Sequence, residues 1–433
     1  MLRYVFISIA LALCSTSIIG QDLVGYWHNW NDLNAPYIEL DQVDPRYTVI
    51  QVSFAVPAVG TSHLMEFSPA ETSQAAFIAQ VAAVQANGRK VLISVGGANA
   101  TVHLDSDTER DEFVSSLLGI MDTYGFDGMD IDLEGSSVAI TGGSITAPVD
   151  VGIIRMIDAV NTIADAFELA HGVPMMLTMA PETAYVQGGM SAFGGIWGAY
   201  LPLIHALRDR IDLLHVQLYN SGSMYGIDGG IYTQGTADFI VSQTEAVILG
   251  FNTAGGFFQG LPAHRVAVGL PACPDAAGGG YTDTATVRMA VEYLLGVGPQ
   301  PGSYVLAEPG GYPDIGGMMT WSINWDAVAA CSGAYSYAET FARIFSGLPT
   351  SVNARQVMEL TVGPVPARDR LGFFPPLLES TGATILDMQG RALVNTPLSA
   401  GSAGIDVAHL PAGTYVLVLQ GAGGVRHVRF VRE

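Results

Sequence analysis

Basic residues are scarce in this chain of 433 residues, which carries 18 lysines and arginines against 40 aspartates and glutamates. The resulting formal charge of −22 at neutral pH repels phosphate backbones and anionic lipid headgroups. We therefore expect no nucleic-acid partner. A neutral polymer needs no charge attraction, so a carbohydrate ligand is compatible with this balance.

Long apolar runs are also lacking, apart from one at the N-terminus. There a single basic residue precedes an apolar stretch over residues 4–13, and small polar residues follow it. This pattern is typical of a secretory signal peptide and is too short to cross a bilayer. A buried first helix is the alternative. We predict a signal peptide over residues 1–20, no membrane anchor, and a secreted or cell-surface protein.

Cysteine is rare as well, with three in the chain. A lipid anchor on Cys14 would need a small residue before it, and Leu13 stands there. Loss of the signal peptide would leave Cys273 and Cys331 in a compartment where disulfides persist. Two cysteines far apart in sequence leave open whether they pair.

Short β-rich runs alternate with longer helix-compatible stretches from residue 22 to about residue 345. This alternation predicts repeated βα units around a parallel sheet, and eight such units favour a (β/α)8 TIM barrel over residues 21–346. A doubly wound sheet is the alternative, but that fold usually has a glycine-rich turn after the first strand, and here the strand ends without glycines. The strand candidates are Leu23–Trp27, Thr48–Ala55, Lys90–Val95, Gly128–Leu133, Met175–Ala180, Leu213–Leu218, Arg265–Leu270 and Gly317–Trp321.

The alternation stops near residue 346, where the chain becomes rich in proline and then strand-like. Turn sequences stand at residues 388–390 and 411–413. We predict a linker over residues 347–355 and a small all-β C-terminal domain over residues 356–433. No chemistry is expected in that domain, because its carboxylates do not cluster.

The most informative segment runs from Asp127 to Glu134 and reads DGMDIDLE. Side chains alternate faces along a strand, so Asp130, Asp132 and Glu134 share one face, here called the acid row. In a barrel the row faces inward near the C-terminal mouth. Like charges in a poorly solvated site cannot all ionise, so a proton must be shared, as a general acid near neutral pH requires. We assign Glu134, nearest the mouth, as the acid and Asp132 as its electrostatic neighbour.

Two alternative roles for this segment are weaker. A solvated acidic face would not carry long and β-branched apolar residues between the acids. An EF-hand calcium loop would start with similar acids, but its twelfth position would be Thr141, where a bidentate glutamate is needed. No metal ion and no cofactor are therefore expected.

The acidic segment resembles the Asp-x-x-Asp-x-Asp-x-Glu signature of the chitinases of glycoside hydrolase family 18. Four further pieces stand where that family would have them, and together the five span most of residues 22–345. The resemblance implies hydrolysis of β-1,4-linked N-acetylglucosamine polymers by a monomeric enzyme, with chitin or chito-oligosaccharides as substrate. The four pieces are Ser94-Val95-Gly96-Gly97, Met179-Ala180-Pro181-Glu182, Gln217-Leu218-Tyr219-Asn220 and Trp321.

The mechanism implied by the resemblance is retaining and substrate-assisted. Glu134 would protonate the glycosidic oxygen while the sugar's acetamide oxygen attacks the anomeric carbon, an exception to the two-carboxylate scheme. Asp132 would bind the acetamide N–H, Asp130 would share its proton, and Tyr219 would donate to the acetamide oxygen. The other expected sugar contacts are Gln217, Asn220, Met179, Trp321 as the floor of the cleavage subsite, and Tyr26, Trp27 and Trp30 as stacking candidates.

Two related functions stay open from the sequence. An endo-β-N-acetylglucosaminidase acting on N-glycans would share the acid row and the acetamide mechanism. A non-catalytic chitin-binding lectin on the same barrel would typically lack the acid that Glu134 supplies.

The C-terminal region resembles the sorting domain of type IX secretion cargo from the Bacteroidetes. The matching stretches are residues 363–367, 387–391, 410–415 and a closing basic-apolar run at 428–432. Val365 departs from the pattern, which usually has an asparagine between two prolines. The resemblance implies the type IX secretion machinery as a partner. A chitin-binding module is the alternative, but such modules expose a row of aromatic residues and no tryptophan stands here.

Overall fold

A computed structural model describes residues 20–346, 361–363, 366–374, 381–387, 391–399, 401–421 and 424–433. Nearly all of the predicted signal peptide, the predicted linker and the turn at residues 388–390 lie outside the described residues. The chain divides into two compact units between Gly347 and Leu348. Each unit has a hydrophobic core of its own.

Eight parallel strands form the barrel of the first unit. Their order in the sheet is β7-β8-β1-β2-β3-β4-β5-β6, and parallel bridges pairing Leu214 with Val266 and Gln217 with Gly269 connect β6 to β7. The predicted (β/α)8 TIM barrel is therefore confirmed, and the doubly wound sheet is wrong. The strands are β1 (Asp22–His28), β2 (Val49–Pro57), β3 (Lys90–Gly96), β4 (Gly128–Asp132), β5 (Met176–Met179), β6 (Leu213–Leu214), β7 (Ala267–Pro271) and β8 (Gly317–Trp321).

The sixth strand is much shorter than the predicted Leu213–Leu218. Its continuation stays extended, since the amide of Gln217 donates to the carbonyl of Pro181 and the amide of Leu218 donates to that of Gly269. Pro181 has no amide proton to return, so the regular ladder stops although the chain keeps its direction. This irregular stretch carries several side chains of the site.

Helices alternate with these strands, and the sequence sets their limits locally. The second helix begins with a capping box, in which Ser106 and Glu109 bond each other's backbone amides, and ends at Gly125 in the left-handed region. No helix in the described part of the chain has the length and apolarity needed to cross a membrane. The helices are α1 (Gln74–Gln85), α2 (Asp107–Tyr124), α3 (Val151–His171), α4 (Leu201–Leu207), α5 (Ala237–Leu249), α6 (Thr284–Leu294), α7 (Ile323–Asp326) and α8 (Ser336–Ser346).

Short elements fill the connections between the main strands and helices. The additional strands are Met65–Glu66, Ser223–Tyr225, Ile231–Thr233, Phe251–Thr253 and Gly256–Phe258. The single-turn 3-10 helices are Leu40–Gln42, Thr183–Tyr185, Gln187–Met190, Ala263–Arg265 and Pro274–Ala276.

Cys273 and Cys331 form a disulfide, which answers the question that the sequence left open. The bond ties down the loop of residues 272–281 that follows β7, here called the rim loop. This loop packs against the end of the sixth strand, because the amide of Asn220 donates to the carbonyl of Gly279 over 3.0 Å. A Cβ on Gly280 would lie 2.6 Å from the Cα of Tyr219, so only glycine allows this approach.

The described part of the second unit is all-β, as predicted. Two antiparallel sheets, of three and four strands, enclose a core of apolar side chains that includes Leu371, Ile385, Leu417 and Phe430. The strands are Thr361–Gly363, Arg370–Phe374, Thr381–Asp387, Ala392–Leu398, Gly404–Asp406, Gly413–Gly421 and Gly424–Arg432.

Candidate active site

The acid row lies on β4 and just beyond it, and its side chains become more exposed toward the barrel mouth. Asp130 is fully buried, Asp132 is 3% exposed and Glu134 is half-buried. The strand ends at Asp132 because the amide of Leu133 donates to the Tyr200 hydroxyl (2.7 Å) instead of to the sheet. Glu134 is thus released from the ladder and stands nearest the solvent.

Asp130 at the inner end of the row is bound by three hydroxyl groups. Tyr26 and Ser94 each donate to Oδ2 over 2.7 Å, and Thr178 donates to Oδ1 over 2.6 Å. Burial, with the charge of Asp130, raises the pKa of Tyr26 well above its usual value, so this phenol keeps its proton for donation. Asp130 therefore accepts three hydrogen bonds through its two carboxyl oxygens.

Gln217 connects the two outer acids. Its side-chain amide donates to Asp132 Oδ1 at 2.9 Å, to Glu134 Oε1 at 3.1 Å and to the carbonyl of Ala180 at 3.0 Å. One amide group thus fixes both carboxyl groups to the end of β5, which holds their separation constant.

Asp132 holds its proton more firmly than an exposed aspartate does. Burial raises its pKa well above the usual value, and the charges of Glu134 and Asp130 add to the effect, while the bond from Gln217 opposes it. The carboxyl groups of Asp132 and Glu134 are neighbours, since the Gln217 amide contacts both. The family resemblance implies that Asp132 shares its proton with Asp130. In the structure Asp132 is grouped with Glu134 instead, because hydroxyl groups already bond both carboxyl oxygens of Asp130.

Asp132 and Glu134 line a cavity of about 780 Å³, a size typical of small-ligand sites. Tyr219, Asn220 and Gln217 from the end of the sixth strand line it as well. Burial raises the pKa of Tyr219 well above its usual value, and the charges of Asp132 and Glu134 contribute, so its hydroxyl remains a donor. The rim loop forms a further part of the wall through residues 275–278.

Aromatic rings form the apolar part of the cavity. The Trp321 and Phe54 rings are nearly parallel, with centroids 5.9 Å apart and planes at 13°, and Trp30 stacks next to Phe54 at 6.4 Å. The sequence reasoning missed Phe54, although its place at the C-terminal end of the second barrel strand is a usual signal for a site residue. Flat rings beside carboxyl groups suit a sugar ring, which has apolar faces and polar edges.

Three predicted sugar contacts lie in the barrel wall and not in the cavity. Tyr26 is 1% exposed and supports Asp130. Trp27 is fully buried, and its indole N–H donates to the carbonyl of Ile38. Met179 is fully buried on β5. All three side chains are therefore enclosed within the barrel, and none of them lines the cavity.

The glycines at the end of β3 make room for the acid row. Gly96 and Gly97 have φ values of +108° and +83°, and the Gly97 amide donates to the Asp132 carbonyl over 2.7 Å. A Cβ on Gly96 would lie 2.4 Å from that oxygen. The motif therefore positions the backbone of Asp132, a structural role.

Several polar residues of the inner barrel were not found from the sequence. Thr178 stands opposite Asp130 in the register of β4 with β5, and Gln51 donates to the Thr178 hydroxyl over 2.8 Å. His215 lies 3.7 Å from Asp130. In the sequence, each of these residues is a single polar position within an apolar strand, and that is the signal that could have revealed it. Among the described residues, no group of three or more His, Cys, Asp or Glu side chains is arranged to bind a metal ion.

The sequence matches the family described as glycosyl hydrolases family 18 over residues 22–339. It is 47% identical to Chitinase Chi52 of Paenibacillus xylanexedens over 310 residues and 47% identical to Chitinase D of Niallia circulans over 311 residues. Each alignment covers 70% of this chain and 58% of the relative, so the chain spans somewhat more than half of their length.

A solved structure supports the same grouping. A family GH18 chitinase from Chromobacterium violaceum superimposes with a TM-score of 0.66 and 38% sequence identity, covering 75% of this chain and 83% of that one. This chain belongs to glycoside hydrolase family 18.

Proposed function

We propose that this protein is a chitinase that hydrolyses β-1,4 bonds between N-acetylglucosamine residues with retention of configuration. One observation carries the proposal: a pair of acids, Asp132 and Glu134, bridged by the Gln217 amide, faces a cavity together with Tyr219 and the Trp321 ring. The names of the relatives, all chitinases, support the same substrate class.

Glu134 acts as the general acid. The proton of the pair passes to Glu134 and then to the glycosidic oxygen as the bond to the anomeric carbon breaks. Asp132 is left ionised, where it accepts the acetamide N–H of the sugar. General acid catalysis of this kind contributes roughly 10²–10⁴-fold to a rate.

The acetamide oxygen of the sugar acts as the nucleophile, and an oxazolinium ion forms. Ionised Asp132 balances its positive charge and the Tyr219 hydroxyl donates to the acetamide oxygen. Water then attacks the anomeric carbon from the face that the leaving group has vacated, and Glu134 takes up its proton as the general base. The product has the configuration of the substrate.

The test of this mechanism is a panel of oligosaccharides that differ at the acetamide. We expect cleavage of N-acetylated chitin oligomers, with β-anomers as first products in proton NMR, and resistance of fully deacetylated chitosan and of cellulose oligomers. A thiazoline analogue of N-acetylglucosamine should inhibit because it mimics the cyclic ion. Equal cleavage of cellulose, or a sugar trapped covalently on a carboxylate, would overturn the mechanism.

A glycoprotein in the same panel separates the nearest alternatives. Release of N-glycans without cleavage of chitin oligomers would identify an endo-β-N-acetylglucosaminidase. Binding of chitin oligomers without any cleavage would identify a lectin. Gel filtration of the same preparation tests the expected monomer.

We also propose that residues 1–20 direct secretion and that residues 356–433 form a sorting domain for the type IX machinery, joined to the catalytic domain of residues 21–346 by a linker. The antiparallel strands of the second unit support this role, and the proline motif around Val365 falls partly outside the described residues. A fluorescent protein placed between residues 1–20 and residues 348–433, and produced in a bacterium with this machinery, should be exported. Retention in the periplasm, as in a host that lacks the machinery, would oppose it.

A further inference from the structure

His215 is a fully buried histidine that the mechanism above does not use. It follows β6 directly, and its amide donates to the carbonyl of Met179 on β5 over 2.9 Å. Its ring packs edge-on against Tyr26 of β1, with centroids 6.2 Å apart. The charged group that faces it is Asp130 on β4, whose Oδ1 lies 3.7 Å from Nε2.

Neither ring nitrogen of His215 has a hydrogen-bond partner among the described residues. A buried polar group without a partner is costly, and an aliphatic or phenyl side chain would fill the same space without that cost. The gap to Asp130 is too short for a bridging water, which needs two hydrogen bonds of about 2.8 Å each. The acceptor that faces Nε2 across this gap is Oδ1 of Asp130.

Asp130 lacks a permanent cation. Of the described residues, His215 is its sole ion-pair partner, and its other contacts are the hydroxyl groups of Tyr26, Ser94 and Thr178. Burial lowers the pKa of His215, with Asp130 opposing this, so the ring is neutral when the site is active. A neutral imidazole with its proton on Nε2 would point one donor at the Asp130 carboxylate.

We propose that His215 is a positioning residue, which directs its Nε2–H at Asp130 and so holds negative charge there, leaving the proton of the acid row to Asp132 and Glu134. The proposal rests on the proposed function, because the proton in question is the one that Glu134 delivers. His215 does not line the cavity, so it acts through Asp130 and not on the sugar.

Replacement of the ring tests this role. In His215→Phe the negative charge on Asp130 is balanced less well, so Asp130 competes with Glu134 for the proton and the row as a whole binds that proton more tightly. We expect both limbs of the pH profile of kcat to move to higher pH and kcat at the optimum to fall about tenfold, the loss typical of one hydrogen bond to a charged group. KM should change less than about twofold, since uniform substrate binding is untouched.

Two further variants separate positioning from packing. His215→Asn keeps an N–H donor and should restore the pH profile toward that of the wild type. Leu214→Ala removes a neighbouring buried side chain and should lower thermal stability without moving the profile. An unchanged profile in His215→Phe, or equal shifts in the Phe and Asn variants, would overturn the proposal.

A spectroscopic measurement decides the matter even if the wild-type protein cleaves no sugar or the variants fail to fold. In protein labelled with ¹⁵N-histidine, long-range ¹H–¹⁵N spectra should show His215 neutral and protonated at Nε2. Asp130→Asn should shift the Nε2 resonance. A proton on Nδ1, or an Nε2 resonance that does not shift in Asp130→Asn, would overturn the proposal. Failure of the proposed function would be seen separately, as lack of hydrolysis by the wild-type protein.

Discussion

The two units of this chain differ in where they keep their charged side chains. In the barrel Asp130 and Asp132 are buried, whereas the described core of the C-terminal unit is apolar, and ion pairs such as Arg368 with Glu433 lie at its surface. Burial of charge costs free energy unless hydrogen bonds replace water. The barrel carries this cost where its chemistry takes place, and the C-terminal unit avoids it.

Buried acids within the barrel also differ among themselves. Glu245 is fully buried and accepts bonds from the hydroxyls of Tyr304 and Tyr312 and from the amide of Ala307, which fixes the loop before β8 to α5. Within the described part of the chain, the Asp132 carboxyl group has a single side-chain donor, Gln217. A buried acid with complete hydrogen bonding holds structure together, and one with incomplete bonding is available for reaction.

The largest effect should follow from loss of the catalytic proton. Glu134→Gln keeps the shape of the side chain, so fold and sugar binding should persist, while hydrolysis of chitin oligomers falls by roughly 10²–10⁴-fold. The control is Glu433→Gln, which removes an exposed carboxyl group of the other unit and should leave the rate unchanged. Near-normal turnover by Glu134→Gln would show that another group is the acid.

The disulfide gives the next contrast, because the C-terminal unit contains no cysteine. It closes a loop of 58 residues, and a bond of this span stabilises a fold by about 2–4 kcal/mol. Cys273→Ser with Cys331→Ser should lower the melting temperature of the barrel and raise KM, since the rim loop lines the cavity. Reductant should reproduce the effect in the wild type. Identical melting curves for the two proteins would contradict it.

A smaller effect concerns the way in which Asp132 makes the stability of the fold depend on pH. Its pKa is raised in the folded state, so its contribution to stability is complete below the unfolded value of about 4 and is lost as pH rises through the folded value. Asp132→Asn should therefore raise the melting temperature at neutral pH by about 2–4 °C. The gain should vanish toward pH 3. Asp406→Asn in the C-terminal unit should show no such trend, and a gain that persists at low pH would refute the assignment.

The smallest effect should come from removal of the C-terminal unit. A chain ending at Gly347 keeps the barrel core and the whole acid row, so kcat on soluble chitin oligomers should stay within about twofold of the full chain. Circular dichroism provides the control for folding. A folded but inactive barrel would show that the C-terminal unit takes part in the reaction.

The sequence was sufficient for the elements that follow simple periodicities. The alternation in DGMDIDLE placed three acids on one face, and turn sequences marked the all-β unit. The sequence was not sufficient for residues whose role depends on contacts between distant strands. Tyr26 looked like an exposed ring until the barrel brought it to Asp130, 104 residues away. Phe54, Thr178 and His215 belong to no motif, and closure of the barrel alone brings them to the site.

The burial of Asp130 affects how the acid row responds to salt. Mobile ions screen charges at a protein surface over about 10 Å at 0.1 M ionic strength, but they reach buried groups much less. Asp130 is fully enclosed and is stabilised by hydroxyl dipoles of Tyr26, Ser94 and Thr178, which salt does not displace. The inner end of the acid row therefore responds little to changes in salt concentration, whereas the surface ion pairs of both units weaken as salt rises.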